Sequence, residues 1–85
     1  MSELDVLRKD IDRLDKEICE LLLSRFAVVK EIGAVKKRAG LPVTNAGREE
    51  IVIQGVRSHA ITEEDKSALE GVYRAVIAQS KRLEE

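Results

Sequence analysis

From Leu4 to Ala39, apolar residues recur at steps of three and four: Leu4, Leu7, Ile11, Leu14, Ile18, Leu21, Val28, Ile32, Val35 and Ala39. This is the a/d rhythm of a helix packed along its whole length. One seam position breaks the rule, and it is Arg25. A guanidinium on a face meant for burial costs free energy unless an anion meets it, so the position calls for an anionic partner such as a ligand carboxylate.

The pattern predicts a first helix over residues 3–39. Ser2 can cap it, and Glu3 and Asp5 place negative charge where the helix dipole favours it. Gly40 supplies the stop and Pro42 prevents resumption. At ~1.5 Å per residue this helix is about 55 Å long, more than so short a chain can cover from within, which points to a second copy. Gly33, deep inside it, fits close approach of a neighbouring helix or ligand.

A second helix is predicted over residues 45–58, capped by Asn45 or Thr44, with Ile51, Val52 and Val56 marking its apolar side. A third is predicted over residues 63–84, where Thr62 precedes Glu63, Glu64 and Asp65 in a capping pattern. Its apolar stripe of Leu69, Val72, Tyr73, Val76 and Ile77 is continued at steps of four by Ser80 and Glu84. Two polar residues ending an apolar stripe either fray into water or face something polar. The two shorter helices together nearly match the first in length and can lie along it as two arms. The expected fold is therefore all-α, one long helix and two shorter ones, in an intertwined homodimeric helical bundle.

Composition narrows the function. The 85 residues make one expected domain, 1–85, with a formal charge of -1. That balance argues against a nucleic-acid backbone or an anionic membrane as the main partner. The lone Cys19 gives no disulfide, no secretory signal stands at the start, and the apolar runs are too short for a membrane span, so a cytoplasmic protein is expected. His59, the single histidine, has no Cys or second His nearby, so neither a metal site nor a cofactor is expected.

The remaining chemistry is cationic. Arg25 lies in the seam itself, and Arg8 and Lys36 each follow a seam residue and flank the seam on one shared edge. Arg8 and Arg25 stand about 25 Å apart along the axis, so one small ligand cannot reach both in one chain, whereas an antiparallel dimer would bring Arg8 of the partner subunit towards Arg25 and Lys36. The plainer reading of Arg8 and Lys36 is a packed stem with its head in water. Arg48 and Glu49 open the second helix, and by themselves read as a solvated face. Buried-side cations without a nucleophile system suit a reaction in which the protein holds an anion and stabilises charge within it.

The sequence resembles the all-helical class of chorismate mutases. The likeness is carried by Leu7-Arg8-Lys9-Asp10-Ile11-Asp12-Arg13-Leu14-Asp15, Leu22-Leu23-Ser24-Arg25, Ile32-Gly33-Ala34-Val35-Lys36, Pro42-Val43 with Arg48-Glu49, and Ser80. The resemblance implies an intertwined homodimer with two active sites that turns chorismate into prephenate for aromatic amino-acid synthesis. It assigns Arg25 and the partner subunit's Arg8 to the substrate carboxylates and Lys36 to the breaking ether oxygen. Glu49 accepts from the ring hydroxyl, Arg48 supports the pocket, Ser80 contacts a carboxylate, and Ile32, Val52 and Ile77 are apolar walls.

Two positions depart from the family pattern. Asn45 stands where many relatives have aspartate, and Glu84 where bacterial relatives often have the glutamine that donates to the ether oxygen. A carboxyl group donates only when protonated, so Glu84 makes acid-dependent catalysis an expectation. The nearest alternative is an isochorismate pyruvate lyase with the same fold and pocket; a second is a non-catalytic helical dimerisation module in which Arg25 pairs with an acidic neighbour. With no dehydratase or dehydrogenase segment attached, the expected enzyme is monofunctional.

Overall fold

A computed structural model describes residues 2–85. Among them lie three helices, α1 Glu3–Ala39, α2 Ala46–Arg57 and α3 Glu63–Glu84. The caps account for the boundaries. Ser2 Oγ accepts from the Asp5 amide at 3.1 Å while the Asp5 carboxylate accepts from the Ser2 amide, a reciprocal capping box. Gly40, at φ 69°, turns the chain out of α1 in the left-handed region, and the Leu41 amide closes on the Lys36 carbonyl at 2.8 Å. Asn45 and Thr62 cap α2 and α3 through the amides of Arg48 and Asp65. Asn45 and Ser58, expected as the ends of the second helix, are its caps.

α3 packs against both α1 and α2, which do not pack against each other. The result is a slab of 56 × 26 × 15 Å, little thicker than one helix. Its radius of gyration, 16.1 Å, exceeds the ~12 Å of a compact chain of this length. Its accessible surface, 6711 Å², likewise exceeds the roughly 5000 Å² of a compact monomer of this mass. The buried apolar side chains among the described residues are Val29, Ile53 and Val76, of which Ile53 alone is fully buried.

The face of α1 that meets α3 runs through Leu22, Arg25, Phe26, Val29, Gly33 and Lys36. The seam read from sequence is a neighbouring stripe, and apart from Arg25 its large apolar residues are exposed within the chain, Leu21 at 71%. The helical period is right, but the face it marks is not the one this chain covers. On α2, Ile53 is buried to 1% exposure, whereas Ile51, expected on its apolar side, is 63% exposed within the chain. Ile51 lies two residues from Ile53, on the opposite side of the helix, whereas Val52 and Val56 flank the buried side.

Candidate functional site

A cleft of about 130 Å³ opens where the second half of α1, the first turn of α2 and the last turns of α3 converge. The three elements arrive there for local reasons. Gly33 lets α3 come so close that a methyl group in its place would stand 2.6 Å from the Glu84 carbonyl oxygen. The Asn45 cap starts α2 at the rim, turning Arg48 and Glu49 into the cleft.

From α1, Arg25 donates through Nη1 to Ser80 Oγ at 2.6 Å, and Ser80 Oγ donates to the Val76 carbonyl at 2.7 Å. The Arg25 guanidinium also lies over the Tyr73 ring, 5.3 Å from its centroid. The seam's one polar residue is thus met by a hydroxyl and an aromatic face. Those groups hold its plane without neutralising its charge, which stays available to an anion.

About three turns further along α1, Lys36 Nζ donates to the Val43 carbonyl and pairs with Glu84 Oε1, both at 2.8 Å. The end of α3 is therefore not frayed: Ser80 is 5% exposed and the Glu84 side chain 9%. Opposite, Glu49 Oε1 pairs with Lys81 Nζ at 2.9 Å. Val52 and Ile77 supply the apolar wall.

Nine residues expected from sequence at the site line this one cleft: Arg25, Lys36, Asn45, Arg48, Glu49, Val52, Ile77, Ser80 and Glu84. Ile32 does not; it is 43% exposed on the bare seam. Arg8 lies exposed in the half of α1 that extends away from the cleft. Val43 and Lys81 line the cleft without having been expected there. Lys81 could have been found from its place on the turn between Ser80 and Glu84. Val43 acts through its backbone carbonyl, for which side-chain patterns carry no signal.

The lining carries four cations, Arg25, Lys36, Arg48 and Lys81, against the carboxylates of Glu49 and Glu84. An excess of two positive charges in a cleft with an apolar wall complements a small dianion with an apolar body. Away from the cleft, Arg74 and Arg57 tie α3 and α2 together through Glu70. The Arg74 hydrogen bond holds the Glu70 carboxyl below its ordinary range, against the opposing effect of burial, with Arg57 adding to the lowering. Among the described residues no cluster of His, Cys, Asp and Glu is arranged to hold a metal ion, and no helix is long and apolar enough to cross a membrane.

The chain as a whole is similar to known proteins. The family model described as chorismate mutase type II matches residues 7–85. A bifunctional chorismate mutase/prephenate dehydratase from Aquifex aeolicus is 36% identical over 99% of this chain and 24% of its own length. A T-protein from Enterobacter agglomerans is 40% identical over 71% of this chain and 16% of its own length. The chain thus spans a quarter or less of these curated relatives. The structure of a form II chorismate mutase from Thermus thermophilus superposes with a TM-score of 0.90 at 28% identity, over 98% of this chain and 94% of that one.

Proposed function

The chain belongs to the chorismate mutase type II family, and from that premise we propose that it is an isomerase converting chorismate to prephenate, in a site shared between two copies of a single-domain chain. The observation that carries this reading is the convergence, from three helices, of Arg25, Lys36, Glu49, Ser80 and Glu84 on one cleft with two surplus positive charges.

The reaction is a [3,3] rearrangement: the ether carbon–oxygen bond lengthens and the oxygen gains negative charge before the new carbon–carbon bond is complete. Arg25, its plane held by Ser80 and Tyr73, takes one substrate carboxylate. Arg8 of the partner subunit takes the other. Lys36 and Glu84, already 2.8 Å apart, meet at the ether oxygen, where Lys36 donates to developing charge. That interaction strengthens towards the transition state, which is the requirement for raising the rate. Glu49 accepts from the ring hydroxyl, Asn45 and Arg48 close the rim, and Val52 and Ile77, joined by Ile32, press the two reacting ends together.

The second copy is called for by the bare seam of α1 and by a surface well above that of a compact monomer. Antiparallel pairing of two α1 helices would cover the seam and carry Arg8 to the other subunit's cleft. The enzyme works in the cytoplasm, in aromatic amino-acid synthesis, with no cofactor. The test is direct: the purified chain is given chorismate and isochorismate in separate assays. Prephenate from the first supports the proposal; pyruvate from the second, or turnover of neither, overturns it.

A further inference from the structure

We propose that Lys81 is a positioning residue that sets the acceptor geometry of Glu49 and thereby the enzyme's preference for a substrate bearing a ring hydroxyl. The inference rests on the mutase reading above and adds to it a residue that the family resemblance did not supply.

Lys81 and Glu49 reach each other across the cleft, from α3 and from the first turn of α2, with Nζ and Oε1 at 2.9 Å. Both side chains are partly shielded and both line the cleft. An exposed ion pair of two long side chains adds little to stability, so this contact matters chiefly for where it holds the carboxylate. With Oε1 engaged by the ammonium, rotation of the carboxylate is restricted and Oε2 is left as the acceptor. The Nζ–Oε1 contact is itself charge-assisted, and because an ammonium only donates it fixes Glu49 without offering the ring hydroxyl a rival acceptor.

Position adds a second reason. Lys81 follows Ser80, which holds Arg25, and stands three residues before Glu84, which meets Lys36. The Lys81–Glu49 contact therefore ties the first turn of α2 to the turn of α3 that orients both other polar anchors. The remaining α2–α3 ion pairs, Arg57 with Glu63 and Glu70 and Arg74 with Glu50, involve no residue of the cleft lining.

The test compares the full-length wild type with Lys81→Met, Lys81→Arg, Glu49→Gln and the Lys81→Met/Glu49→Gln double variant, each checked for helicity by circular dichroism. Two substrates are used, chorismate and an analogue with hydrogen in place of the ring hydroxyl. Because the hydroxyl contact exists before and during the rearrangement, Lys81→Met should raise KM for chorismate by about tenfold with kcat changed less. It should leave kcat/KM for the deoxy analogue within about twofold of wild type, and Lys81→Arg should recover most of the loss. The double variant should lose no more than Glu49→Gln alone, since residues acting as a unit are not additive. Chorismate turnover by the wild type with an unaffected Lys81→Met, an equal loss on both substrates, or losses that multiply in the double variant would overturn the role of Lys81 alone. No wild-type turnover of chorismate would overturn the mutase reading and this inference together.

Discussion

At the scale of single residues, two positions control the business end of the cleft. Gly33 is the point where α3 leans on α1: a Cβ there would meet the Glu84 carbonyl oxygen at 2.6 Å and its Cα at 2.8 Å, both backbone atoms. Gly33→Ala gains helix propensity in α1 but forces the last turn of α3 outward, pulling Glu84 from Lys36. The expected result is a net loss of about 1–3 kcal/mol in denaturant stability, with kcat/KM falling further than stability accounts for. Glu84, paired with Lys36 at 2.8 Å, is the second position. If its carboxyl donates to the ether oxygen, kcat/KM rises as the solution is made more acid, because only a protonated carboxyl has a hydrogen to give. Glu84→Gln donates at every pH, so its profile should be flat where the wild type slopes; a wild-type profile flat from acid to neutral would remove Glu84 from this role. The close approach at Gly33 was legible in the sequence as a helix-interior glycine. That α3 is the neighbour, with Glu84 at the contact, required the fold.

At the scale of elements, α2 is the dependent one. Its twelve residues carry glycines at Gly47 and Gly55, it has no packing against α1, and it is held to α3 by Ile53 and by ion pairs. A short helix of this kind persists through tertiary contacts rather than propensity. Glu70 is the hub, bonded to Arg57 on α2 and Arg74 on α3, both at 2.9 Å. Its carboxyl titrates lower in the folded chain than in the unfolded one, chiefly through the Arg74 hydrogen bond. The stabilisation is therefore fully present above the unfolded value and is lost as pH falls through the lowered folded value. Glu70→Gln should melt below the wild type at neutral pH, and the gap should close as the pH is taken into the acid range, which paired thermal melts would detect. The sequence marks α2 through Asn45 and its apolar residues but misassigns part of its inner face. Twelve residues give barely three turns, and Ile51, Val52 and Ile53 in succession leave the phase undecided until α3 selects one side.

At the scale of the molecule, the slab of 56 × 26 × 15 Å leaves most of α1 without a neighbour. With Val29, Ile53 and Val76 as the buried apolar side chains among its described residues, the chain gains little from burial against the entropy of ordering three helices. The proposed dimer answers both points and yields a test that no single-chain site can pass. Arg8→Ala and Arg25→Ala homodimers should each be nearly inactive. Mixed under conditions of subunit exchange, they form heterodimers in which one cleft has both arginines and the other has neither. An equal mixture should then recover about a quarter of the wild-type sites, half the dimers being mixed and each holding one intact site of two. Proven exchange without recovery would place Arg8 outside the site.

The local signals in this chain are strong, and they are what the sequence determined by itself. Ser2, Gly40, Asn45 and Thr62 mark helix ends because capping is a matter of neighbouring backbone groups, and each of them caps as its residue type requires. Arg25, Lys36, Glu49, Ser80 and Glu84 were legible as candidates because polar residues on apolar stripes, and family motifs, stand out along the chain. Their assembly into one cleft was a tertiary decision. α3 had to choose the Leu22–Gly33–Lys36 face of α1 over the more continuous a/d seam, since only at Gly33 can two backbones approach so closely. That choice brings Ser80 to Arg25 and Glu84 to Lys36, and it leaves the seam uncovered by its own chain. It also sets Lys81 opposite Glu49, a contact between residues 32 positions apart on different helices that no periodicity encodes.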